Sequence, residues 1–150
     1  MSRIEFPWFS LEVPPGWHDV TDCVEEEDPP VTLGREEGVG AIQISIALYD
    51  EGELSDPTPE DLLELLRVMA EAQALGEPTD VASASGPLRL AAASFLKREE
   101  GEFLRVWHLS DGTNFTLASY LCELGMQDQE LAECEGIVRS LVFRAGEGSM

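Results

Sequence analysis

The sequence predicts an α+β fold, a largely antiparallel β-sheet covered by two main α-helices. Three observations carry that expectation. Residues 41–49 alternate, with Ile42, Ile44, Ile46 and Leu48 on one face and Gln43, Ser45 and Ala47 on the other; a period of two is that of a half-buried strand. A capped helix opens at Thr58-Pro59. The second half then runs strand, turn, strand, turn, strand before a final amphipathic segment at 128–139. Consecutive hairpins make antiparallel neighbours, and helices must cover the apolar face of such a sheet.

The elements follow in order. Residues 9–13 alternate apolar and polar, Pro14-Pro15-Gly16 stops them, and Trp17 follows. Residues 19–30 are acidic and turn-rich, residues 31–33 form a short strand, and Glu36-Glu37-Gly38 is a turn before the strand at 41–49. After a loop at 50–57, Thr58 is the N-cap, Pro59 sits at the first helical position, and Glu60 and Asp61 meet the positive end of the helix dipole. Leu62, Leu65, Leu66, Met69 and Gln73 trace its stripe, with Leu63 and Ala70 beside it, and Gly76 is the stop. Strands are expected at 81–85, 88–98, 103–109 and 114–122, with hairpin turns at Glu99-Glu100-Gly101 and Ser110-Asp111-Gly112. The last helix buries Leu131, Cys134, Val138 and Leu141, with Ile137 alongside, and Val142-Phe143 closes the domain. The organisation expected is one α+β domain over 1–145 and a disordered tail over 146–150, without repeats or linkers.

The chain of 150 residues carries 30 acidic and 9 basic side chains, a formal net charge of -21. Residues 19–64 hold 15 acidic residues and a single basic one, Arg35. Hydrophobic content of 43% provides a core, so the charge does not signal disorder. A negative field of this size repels nucleic acid and anionic lipid and attracts basic partners. No leader-like apolar stretch and no spanning segment is present, so the reading is a cytoplasmic protein. Cys23, Cys122 and Cys134 form no CxxC pair and read as reduced thiols.

The element order and its punctuation resemble the PsbP-like superfamily. The motifs are the strand–Pro–Gly–Trp entry from Phe9 to Trp17, the central strand from Gly40 to Ser45, the helix start Thr58-Pro59-Glu60-Asp61-Leu62, and the closing segment from Ile137 to Phe143. That superfamily includes a photosystem oxygen-evolving subunit, a Ran-binding import factor, bacterial DcrB-like proteins and Eag-type chaperones of type VI secretion effectors. The resemblance covers nearly the whole chain and implies a PsbP-like α/β sandwich. It carries no catalytic residues over, and it implies a role in binding other proteins.

No phosphate-binding, nucleophile-elbow or zinc-protease motif occurs. His18 and His108 match no metal spacing, and no catalytic, cofactor or metal residue is assigned. Cys134 on the apolar stripe is a core residue, and an acidic neighbourhood discourages thiolate chemistry at Cys23 and Cys122. Trp8, Trp17 and Trp107 are the largest apolar groups. Trp107 shares a face with Phe103 and Leu109 and reads as core, whereas Trp17 is a lid on the sheet edge or an interface anchor.

The leading expectation is a non-catalytic, acidic protein-binding module. Its most concrete forms are an immunity protein masking a basic toxin and a chaperone of a secreted effector. The expected interface is Trp17 with Glu25, Glu26, Glu27 and Asp28 and with Asp50, Glu51, Glu53 and Asp56. The partner is another protein that is basic or carries an apolar segment, without nucleic acid or membrane, and a homodimer is the other assembly considered. One alternative is a small-molecule-binding protein or minor enzyme, with His108, Tyr120 and Arg105 in a cavity between sheet and helices. Another is that the charge is a solubility or high-salt adaptation.

Overall fold

The computed structural model describes residues 2–6, 9–21, 31–35, 38–47, 58–111 and 115–143. Among them lie β1 (Ser2–Glu5), β2 (Phe9–Val13), β3 (Trp17–Asp19), β4 (Val31–Arg35), β5 (Gly40–Ala47), α1 (Pro59–Ala72), β6 (Thr79–Ala84), β7 (Arg89–Lys97), β8 (Glu102–Ser110), β9 (Phe115–Glu123), α2 (Leu131–Arg139) and β10 (Val142–Phe143). A seven-stranded sheet has the order β3-β4-β5-β9-β8-β7-β6, and a three-stranded sheet the order β1-β2-β10. Every pairing given is antiparallel. The fold is α+β, as the sequence predicts. The tail at 146–150 and the turn residues Glu36, Glu37 and Gly112 lie outside the described residues.

Both faces of the large sheet are covered. On β8, Phe103, Trp107 and Leu109 share a core with Phe9, Leu11 and Val13 of the small sheet and with Cys134, Ile137 and Val138 of α2. Val106, on the opposite face, packs with Leu66 and Ala70 of α1 and with Ala93 and Phe95 of β7. Leu62 meets Ala91 and Phe115 on that face. The alanines of β7 have two uses. Ala91 and Ala93 let α1 sit close, while Ala92 stands beside Trp107, whose other cross-strand neighbour is Ala118. Small residues on both flanks leave room for the indole, which is fully buried.

Helix α1 starts as the sequence predicts. Thr58 Oγ1 accepts from the Asp61 amide and the Asp61 carboxylate accepts from the Thr58 amide, a complete capping box. Its buried residues are Leu62, Leu66 and Ala70, and Gln73 is exposed at the C-cap. The left-handed residue that ends the helix is Ala74 (φ 52), not Gly76. The Leu75 amide donates to the Ala70 carbonyl and the Ala74 amide to the Glu71 carbonyl, the Schellman arrangement. The last helical segment is split: a 3-10 turn covers Gln127–Gln129, and α2 begins only at Leu131. Two short strands, β1 and β3, are additions to the elements expected from sequence.

Two substitutions test this backbone. Ala74→Gly raises stability by about 1 kcal/mol in urea unfolding, because it removes the Cβ strain of a left-handed residue. Gly40→Ala lowers it by at least about 2 kcal/mol, since a Cβ there would lie 2.5 Å from the Leu121 carbonyl oxygen and 2.7 Å from Cys122 Cβ.

Candidate functional site

Arg105 projects from the same face of β8 as Trp107 and is 2% exposed. A guanidinium cannot shed its charge, so burial demands partners. Its Nε donates to Glu135 Oε1 of α2 at 2.6 Å, and its Nη1 donates to Ser94 Oγ at 2.8 Å and to the Asp80 carbonyl at 3.0 Å. The same glutamate accepts from Trp107 Nε1 at 3.2 Å and from Arg139 Nε at 3.4 Å. Asp80 reaches this position because β6 breaks register between Thr79 and Ala82, with Asp80 at φ 48.

A second carboxylate is buried at the start of α2. Glu130 is 1% exposed; its Oε1 accepts from Tyr120 Oη at 2.8 Å and from the Gly40 amide at 3.1 Å. Its Oε2 lies 3.6 Å from Arg35 Nη1, which also pairs with Glu133. Burial first, then hydrogen bonding with Cys122 and with Glu130, pushes the Tyr120 phenol far above its ordinary range. The thiols of Cys122 and Cys134 are likewise raised, chiefly by burial and also by the Glu130 charge. These thiols are packing groups rather than nucleophiles.

His108 lies on the other face of β8, edge-on to Phe115 at 5.3 Å between ring centroids. Neither ring nitrogen has a hydrogen-bond partner. Burial lowers its pKa to about 4, opposed in smaller part by the nearby Leu62 backbone, which lies outside hydrogen-bonding geometry. Arg105, Tyr120 and His108, which the cavity reading groups together, are therefore divided between the two sides of the sheet. The first two are committed to carboxylates of α2, and the third has no carboxylate beside it. Among the described residues, no group of three or more His, Cys, Asp or Glu side chains is placed to hold a metal ion. No helix among them is long and apolar enough to cross a membrane.

Of the interface residues expected from sequence, Glu25, Glu26, Glu27, Asp28, Asp50, Glu51, Glu53 and Asp56 lie outside the described residues, as do Cys23 and Trp8. Trp17 is placed, and it is not an exposed anchor. Gly16, at φ 97, turns the chain, and pairing of Trp17 with Arg35 directs the indole inward, where it is 3% exposed in the main core. Its Nε1 is buried without a hydrogen-bond partner. Trp17 also lines a trough of about 470 Å³ together with Ile4, Val13, Pro14, Pro15, His18 and Asp19.

Sequence reasoning missed Glu130 and Glu135. A signal for Glu135 existed: an arginine on the strand face Phe103, Trp107, Leu109 requires a carboxylate from whatever covers it, and Glu135 borders the apolar stripe of the last helix.

The Arg105–Glu135 pair predicts an asymmetric double-mutant cycle. Glu135→Leu leaves the buried guanidinium with only the exposed Asp80 carboxylate at 3.5 Å as a charged partner and costs about 3 kcal/mol. Arg105→Met costs less, because the Glu135 side chain is 24% exposed and water can reach it. The double variant recovers most of the loss in urea unfolding. His108 predicts an acid effect. The unfolded imidazole takes a proton near pH 6.5 and the folded one only near pH 4, so the unfolded chain binds more protons between these values and stability falls as pH drops through that window. The loss is about 3 kcal/mol. His108→Leu removes this component, measured as the difference between variant and parent at pH 7 and pH 4.5.

No protein-family model matches the sequence, and no curated protein is significantly similar to it. Solved structures do match. A protein of Bacteroides thetaiotaomicron VPI-5482 superposes with a TM-score of 0.64 at 17% identity, over 97% of this chain and 49% of that one, so this chain spans about half its length. A mutant of the protein Mog1 matches with a TM-score of 0.54 at 12% identity, over 95% of this chain and 96% of that one. The Saccharomyces cerevisiae Ran-binding protein Mog1p matches with a TM-score of 0.52 at 11% identity, over 89% of each chain. At these identities the likeness is one of fold, and this chain shares the α+β fold of the Mog1 structures.

Proposed function

We propose that this chain is a non-catalytic protein-binding module that presents an acidic surface to a basic partner. One observation carries the reading: acidic residues outnumber basic ones 30 to 9, and six of the nine cations are paired with carboxylates of the same chain. Arg3, Arg35, Arg67, Lys97, Arg105 and Arg139 each pair with a carboxylate of the same chain. Among the described acidic residues only Glu130 is buried. A net charge of -21 attracts external cations and speeds their association. The Ran-binding neighbour lends support, since the same fold serves protein recognition there. The most concrete form is an immunity protein that masks a basic toxin. A chaperone of a secreted effector would use an apolar groove in place of charge.

The test is affinity capture from a lysate of the source organism at low salt, followed by a salt gradient and mass spectrometry. A basic protein eluting stoichiometrically, with affinity falling at least about tenfold as salt rises from about 0.05 to 0.5 M, is the expected result. A partner retained unchanged at high salt points to the apolar chaperone form. No partner at any salt, or a dimer of this chain alone, overturns the proposal.

A further inference from the structure

We infer that β6 is a self-association edge: two copies of this chain pair their β6 strands antiparallel about a two-fold axis and so join their large sheets. The inference goes beyond the protein-binding reading above and uses a different surface.

β6 ends the seven-stranded sheet, and among the described residues its ladder partner is β7 alone. The chain on both sides of it, from α1 through β8, belongs to the described residues. Its side chains mark the edge as open: Thr79, Asp80, Val81 and Ser83 are exposed, Val81 to 47%. An edge strand offers unpaired amides and carbonyls to another extended chain, and natural edges are commonly blocked by Lys, Pro or a bulge. β6 contains no Lys, Arg or Pro. Its bulge occupies only the first half, between Thr79 and Ala82, where the Asp80 carbonyl is taken by Arg105 Nη1. From Ala82 to Ala84 the strand keeps regular register with β7, and this is the stretch that pairs.

Charge selects the occupant. The segment 78–98, which holds β6 and β7, has one acidic residue, Asp80, and three basic ones, Arg89, Lys97 and Arg98, a local balance of +2 in a chain of net charge -21. The one carboxylate lies 3.5 Å from Arg105. A basic partner is drawn to the acidic remainder of the surface, not to this hairpin. Two copies of the chain repel one another almost everywhere else, and here they do not. The contact is also self-complementary, because a two-fold axis sets one β6 antiparallel to its mate. Val81 is then covered across the joint. A six-residue strand is a short edge, so the dimer is a weak one in exchange with monomer. Salt screens the repulsion between the two bodies and therefore tightens it, the reverse of its effect on a basic partner.

The test is sedimentation equilibrium of the full chain up to about 1 mM protein, in salt from about 0.05 to 0.5 M. The expected result is a monomer–dimer equilibrium whose dissociation constant falls several-fold as salt rises. Val81→Lys and Ser83→Lys, each at an exposed position, weaken it by at least about tenfold. Val68→Lys, on the exposed face of α1, makes the same change in net charge and does not weaken it. That control matters, since an added cation on an acidic chain favours association unless it blocks the contact. A monomer under all conditions, a dimer equally strong in Val81→Lys and Ser83→Lys, or a dimer that loosens with salt overturns the inference. Capture of a basic protein by a chain that stays monomeric also overturns it and leaves the protein-binding reading intact. A salt-tightened, β6-dependent dimer with no basic protein captured supports the inference and removes that reading.

Discussion

Two glutamates of the last helical segment are driven into a hydrophobic sandwich, and the placement of that helix follows from how their charges are met. Glu135 reaches down to the buried Arg105 and Trp107 of β8, and Glu130 reaches Tyr120 of β9 and the Gly40 amide of β5. The two anchor points lie on three adjacent strands of the large sheet. Hydrophobic contact alone would let a short helix slide, since burial is not directional. Buried, charge-assisted hydrogen bonds are directional, and a shift of either carboxylate would strand an ion.

The same anchoring explains local departures from ideal structure. Glu130 takes φ -130 between the 3-10 turn and α2, so the segment is broken where the carboxylate turns inward. Gly38 leaves space for it, since a Cβ there would come within 2.7 Å of Glu130 Oε2, while Gly40 leaves space for β9. At the other anchor, the bulge of β6 delivers the Asp80 carbonyl to Arg105. The Ser140 hydroxyl then ties the end of α2 to β2 by accepting from the Glu12 amide. Through these contacts the small sheet, α2 and the large sheet form one packed unit.

Internal use of the cations also shapes the surface. Each arginine held in a structural pair takes one carboxylate with it, so the net acidic excess is carried by the remaining carboxylates, and the arginine at the centre of the sheet is fully withdrawn from solvent. The outward field is therefore negative, as the net charge requires. A Coulombic field of that kind sets association rate and partner class, while the shape of a recessed edge sets register. Trp17 illustrates the division. The sequence marks it as a large aromatic beside a Pro-Gly turn, and the structure makes it a core residue.

Local information determined what local forces control. The alternation at 41–49, the capping box at Thr58, the stripe on α1 and the turn at Gly101 were all legible, because side-chain period and backbone sterics act over a few residues. The acidic balance was legible in the same way, since net charge is additive. What only the tertiary structure decided is long-range pairing. Nothing near Arg105 in the chain names Glu135, thirty residues away, and nothing near Gly40 names Glu130, ninety residues away. The short strands β1 and β3 owe their form to partners elsewhere in the chain, and an edge becomes an edge only when the strand order is known. Burial reverses the meaning of a residue, so an arginine read as a cavity group and a tryptophan read as a lid or interface anchor become core residues once the layers close over them.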